Sequence, residues 1–309
     1  MLANFLEKSK PINFIVYLSV FFCFFLLSLI THFFNDGFSW SKTFESVVFF
    51  FLFLIIFFFY NFIVTKNKLT FDHSYAFFIF TLIAILHFSF LFEFKPLITF
   101  ILHLLYLRKI YSLRSSKSII QKLFDSGFWL GVLFILEPYC FVFFLVTLTA
   151  ILLYQKLTIQ NLIAPIIGYI TPLIIYFTYL FWVDTTNNFI KLFTVDFIFD
   201  LSTYTKNSTT WSTLVLLLFT LIALILKSPK AMSVNNSFKK SWQLLIINLL
   251  VSLFFAILTN TNQGYETLFL YVPASIIIAN GFEVLQKRMV KNILIFIFMM
   301  GTIIGFCYL

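Results

Sequence analysis

The feature that most constrains this chain is a recurrence of apolar blocks, the longest of roughly 18–22 residues, divided by short polar stretches. A helix rises about 1.5 Å per residue, so about 20 apolar residues cross a hydrocarbon layer some 30 Å thick. The blocks predict helices at residues 12–33, 46–64, 74–92, 96–107, 127–136, 139–154, 162–182, 210–226, 242–258, 267–282 and 292–308. No intervening stretch is long enough for a soluble domain. The expected fold class is therefore all-α: a single integral membrane domain over residues 1–309, a polytopic bundle of eleven spans.

Composition agrees. Hydrophobic residues make up 61% of the chain and charged residues 11%, against about 25% charged in soluble domains. The 48 phenylalanines are read as lipid-facing filler rather than as a stacking surface for a pigment or quinone. The apolar block at 12–30 follows Lys8 and Lys10, as a secretory signal would. Its core exceeds the usual length of about 7–15 residues and no small-x-small site follows, so it is expected to stay as the first span. Cys23, Cys140 and Cys307 lie in or beside apolar blocks without a ligand-spaced partner. They are read as packed thiols, with no metal or cofactor implied.

Whether 127–154 forms one helix or two decides the topology. Glu137-Pro138 stands at its middle. A charge at mid-bilayer is costly, and proline ends or kinks a helix at the preceding residue. With a hairpin there, only Lys42, Lys95, Lys191 and Lys206 fall on one side, and the other 17 of the 21 basic residues share the opposite side. Positive loops stay cytoplasmic, which puts the amino terminus inside and the carboxyl terminus outside. The net charge of +9 then reflects topology, not a nucleic-acid partner.

Two loops are long. The basic segment 108–125 can lie along an anionic lipid surface. The outer segment 183–210, with Asp184, Asp196 and Asp200 among Phe and Ile, predicts an amphipathic helix resting in the interface.

No phosphate-binding loop, dinucleotide fingerprint, zinc-protease motif or nucleophile elbow is present. The pairs Gly127/Gly131 and Gly301/Gly305 match the small-residue packing pattern. His87 and His103 lie inside apolar blocks and are expected to be buried, hydrogen-bonded imidazoles. Pro165, Gly168 and Pro172 within one span fit equally a broken helix lining a cavity and plain tolerance of these residues in membrane helices. Asp36, Glu45, Glu93, Glu137 and Glu266 place carboxylates around the outer rim, where a general base could act on a lipid-linked substrate. Asp36 and Glu137 are the catalytic candidates.

Three stretches carry a resemblance: KSIIQKLFDSGFWLGVLFILEPYCFVFFLVTLTAILLYQK, NLIAPIIGYITPLIIYFTYLFW and NQGYETLFLYVPASIIIANGFEVL. Together they resemble polytopic glycosyltransferases of the GT-C type. The resemblance implies that Tyr265, Glu266, Tyr271 and Pro273 occupy the region handling a polyprenyl-phosphate-linked sugar; Asp184, on the outer segment 183–210, is a further substrate-binding candidate. The chain departs from that pattern in a short first outer loop and in having Glu266 beside Tyr265 where the pattern has a basic residue. Over most of its length, through its start at residues 1–14 and LRSSK…FDSGFWLG at 113–131, it resembles an uncharacterised family of multi-pass inner-membrane proteins of Bacteroidota.

The expected function is a GT-C-like role in the bacterial cell envelope, handling a lipid-linked glycan at the outer face of the inner membrane. The alternatives are a non-catalytic subunit or scaffold that binds lipid or another membrane protein, and a transporter or flippase. A transporter needs polar residues facing a midplane cavity, and the span interiors hold few.

Overall fold

The computed structural model describes residues 5–35, 37–87, 91–154, 156–194, 208–233, 235–259 and 265–308. Among them are twelve α-helices and no strand. They are α1 (Pro11–Ser28), α2 (Trp40–Lys66), α3 (Tyr75–Leu86), α4 (Phe94–Ser112), α5 (Ile119–Leu136), α6 (Phe144–Leu153), α7 (Ile159–Trp182), α8 (Asn187–Lys191), α9 (Ser208–Ser233), α10 (Asn236–Thr259), α11 (Leu268–Val284) and α12 (Arg288–Tyr308). Eight helical segments are long and apolar enough to cross a membrane, and the chain has the build of a multi-pass membrane protein.

The helix ends follow local chemistry. α2 begins six residues ahead of its apolar block because Ser39 caps it, accepting from the Lys42 backbone N–H at 3.2 Å. Thr158 caps α7 the same way through Asn161. The expected break at Glu137 is present. α5 ends at Leu136, Glu137 is extended, and a 3-10 turn (Pro138–Phe143) leads into α6. The start of α5 differs from expectation, at Ile119 instead of 127. Its polar first turns are satisfied by neighbours: Lys109 Nζ donates to Asp125 Oδ2 at 2.6 Å, and Lys122 Nζ donates to Ser112 O at 2.8 Å. In its described part, segment 183–210 holds the five-residue α8, none of whose residues is buried, and the first residues of α9. Asp196 and Asp200 lie outside the described residues.

α11 is the central helix, buried residue after residue from Leu268 to Phe282 and packed against α3, α9 and α10. Other helices bury one face and leave the other apolar and bare. On α7, Ile163, Ile166, Ile167, Ile170, Ile174 and Ile175 are all exposed. That stripe has no place in water and suits lipid. The phenylalanines divide between the two environments. Phe51 and Phe58 face outward, whereas Phe21, Phe25, Phe53 and Phe57 are buried and interlock edge-on at centroid distances such as 4.7 Å (Phe21–Phe57) and 5.2 Å (Phe21–Phe53). Lipid-facing filler is thus half of their role.

α5 and α7 make the closest helix pair. A Cβ at Gly127 would collide with the Pro165 carbonyl, one at Gly131 with Tyr169 O, and one at Gly168 with Phe124 O. Pro165, Gly168 and Pro172 lie in an unbroken helix, and the lack of a side chain at Gly168 serves this contact. A Cβ at Gly301 meets nothing and one at Gly305 meets only the Leu86 side chain, so among the described residues the second glycine pair makes no backbone seam of this kind.

Candidate functional site

The helix ends carrying Lys95, Glu137 and Tyr265 converge at one end of the bundle. Glu137 follows α5 in extended conformation, which turns its side chain inward; the residue is only 4% exposed. Tyr265 opens the 3-10 turn ahead of α11 and donates its hydroxyl to Glu137 Oε2 at 2.6 Å. Lys95, in the first turn of α4, brings its ammonium to 3.2 Å from the same oxygen and to 5.7 Å from the centre of the Tyr265 ring. The Lys95 side chain remains 53% exposed. One carboxylate oxygen therefore gathers a phenol from within the bundle and a cation that reaches the surface. Chemically, the cation can meet an incoming anion, and the carboxylate can accept a proton once the cation turns away.

The structure thus joins two of the residues singled out by sequence, Glu137 and Tyr265, and adds Lys95. Glu266 is fully buried next to Tyr265. Tyr271 is packed in the interior, its hydroxyl sharing a 3.0 Å hydrogen bond with Thr267 Oγ1 and its ring 4.6 Å from His87. Asp184 is an exposed turn residue at φ 56° after α7, apart from this cluster. Asp36 lies outside the described residues. Among the described residues no group of His, Cys, Asp and Glu has the makings of a metal site.

His103 is buried as expected, but neither ring nitrogen has a hydrogen-bond partner among the described residues. It is held instead between the rings of Phe143 (4.7 Å) and Phe269 (4.6 Å).

The opposite end of the bundle holds a second polar assembly that sequence reading missed. Lys227 of α9 is buried and donates to Glu283 Oε2 of α11 at 2.8 Å, while His73 Nε2 lies 3.8 Å from that oxygen. The Lys227 ammonium also sits 4.9 Å from the Phe71 ring and 5.4 Å from that of Phe238. Close by, a cavity of about 710 Å³ is lined by Asn13, Tyr17, Tyr60, His73, Ser74 and Arg114, among others. Asn13 Nδ2 and the Tyr17 hydroxyl both reach Ser74 Oγ, at 3.1 and 2.9 Å, tying α1 to the start of α3.

No protein-family model matches the chain, and no curated protein or solved structure shows significant similarity to it.

Proposed function

We propose that this chain is an eleven-span protein of the bacterial inner membrane that handles a lipid-linked glycan at the Lys95–Glu137–Tyr265 end, which faces outward. Its amino terminus is cytoplasmic and its carboxyl terminus outside. The three helical segments beyond the eight long ones are α3, α4 and the Pro138–Leu153 segment; they complete an alternation that keeps basic loops on one side. The observation that carries the reading is the half-exposed Lys95 ammonium above Tyr265. A polyprenyl phosphate arriving there meets a cation already in place. As Lys95 turns to the phosphate, Glu137 loses one of its two partners and can take the proton of a sugar hydroxyl.

The test is complementation of a strain lacking the gene, with lipid-linked glycans extracted and compared. Lys95→Gln and Glu137→Gln are expected to fail to restore the wild-type glycan profile while reaching wild-type levels in the membrane. Full restoration by both variants would sink the proposal.

A second reading, a non-catalytic subunit of an envelope complex, is favoured by the burial of Glu137, which suits a clamp between helix ends. In that case Glu137→Gln leaves the glycans unchanged, and the wild-type chain co-purifies with another membrane protein.

A further inference from the structure

At the basic end, six cations from two parts of the chain surround one cavity of about 500 Å³: Lys66, Lys68, Arg108, Lys109, Arg114 and Lys122. Positive-inside topology accounts for basic loops on this side, but it does not require them to converge. Here they converge, and Lys109, Arg114 and Lys122 are fixed in place. Arg114 Nη1 donates to Asn67 O at 2.6 Å and Lys68 O at 3.1 Å, and Lys122 Nζ donates to Ser112 O at 2.8 Å and Ser115 Oγ at 2.6 Å. These partners are neutral, so they orient the charges without cancelling them. Arg108 lies 4.9 Å from the centre of the Phe62 ring. Lys109 alone has a carboxylate, Asp125 at 2.6 Å. The other five have no carboxylate partner among the described residues, and Lys66 and Lys68 are exposed residues.

Five uncompensated like charges around one hollow repel one another, and an anion entering it relieves them all. The volume is that of a small-ligand site. The cavity lies where α2 and α4 end, with Phe62 as its apolar wall.

We propose that this cavity binds a phosphate-bearing anion, either the headgroup of an anionic phospholipid or a soluble phosphate compound. The site lies at the opposite end of the bundle from Glu137 and does not depend on the role of that residue. Arginine and lysine converging with serine hydroxyls suit phosphate oxygens, and a lipid source would run its acyl chains along α2 and α4.

The experiment uses the full chain in neutral detergent, with binding followed by thermal stabilisation. The probes are phosphatidylglycerol, phosphatidylcholine and inorganic pyrophosphate. Saturable stabilisation by phosphatidylglycerol that pyrophosphate does not displace identifies a lipid headgroup; stabilisation by pyrophosphate alone identifies a soluble phosphate compound. In either case Lys66→Gln/Lys68→Gln/Arg108→Gln is expected to weaken the effective probe at least about tenfold, since each cation contributes about 1 kcal/mol before screening. Lys191→Gln, at the other end, leaves it unchanged. If the triple variant does not fold, Lys66→Gln alone is expected to weaken binding about threefold. The proposal is overturned if neither anion stabilises more than phosphatidylcholine, or if the folded cation variants bind as the wild type does.

Discussion

Tyr265 and Glu137, 128 residues apart in sequence, share a 2.6 Å hydrogen bond that ties the start of α11 to the end of α5. The donor is a phenol and the acceptor a buried carboxylate, so the bond is charge-assisted and costs about 1.5–3 kcal/mol to lose. Tyr265→Phe is expected to destabilise the chain by that amount, read from unfolding in a denaturing detergent. Lys95→Gln leaves the Glu137 carboxylate, only 5% exposed, without its counter-ion, and should cost more than Tyr265→Phe. The order of the two effects is the prediction; equal losses would contradict the geometry.

A neutral pair provides the comparison. The Tyr60 hydroxyl meets Ser275 Oγ at 2.7 Å and Ala76 O at 3.1 Å, joining α2 to α11 and α3. Hydrogen bonds between membrane helices are each worth about 1 kcal/mol, because the unfolded chain in lipid finds other partners. Tyr60→Phe should therefore cost less than Tyr265→Phe in the same unfolding titration.

The two glycine pairs look alike in sequence and differ in the bundle. Gly127→Ala and Gly168→Ala each drive a methyl group into the backbone of the facing helix, α7 or α5, with no flexible side chain to yield. Overpacking of this kind costs about 1–3 kcal/mol. Gly301→Ala meets open space and gains up to about 1 kcal/mol of helix propensity. Thermal midpoints in detergent should fall for the first two variants and hold or rise for the third.

What sequence reveals here depends on the range of the interaction. Apolar runs mark the helices because crossing lipid requires them, and Glu137-Pro138 marks the break because both residues oppose a continuous helix. The early start of α5 is hidden, since Lys122 and Asp125 read as loop until their partners Ser112 and Lys109 are seen across the turn. Tyr265 and Glu137 were each singled out, but their bond joins segments far apart, and no pattern pairs them. Lys95 read as a stray cation on an acidic side; its position above Tyr265 exists only once α4 and α11 are packed.

Lys227 and Glu283 show the same limit, and their pairing makes the sharpest quantitative prediction. In sequence both are flanking charges at the ends of apolar blocks. In the bundle the Lys227 side chain is 4% exposed, held by Glu283 at 2.8 Å and faced by the Phe71 and Phe238 rings. Removing one member of a buried pair leaves the other charge without its counter-ion, at a cost of about 3–5 kcal/mol. Glu283→Gln should thus be severe, because Lys227 has little access to water. Lys227→Met should be milder, because Glu283 is 31% exposed and still has His73 at 3.8 Å. Replacing both, Lys227→Met with Glu283→Leu, removes the stranded charge and should recover most of the stability lost in Glu283→Gln. A double variant no more stable than Glu283→Gln would mean that the pair does more than neutralise itself. The His73 contact, which the double variant also removes, would then be the next interaction to isolate.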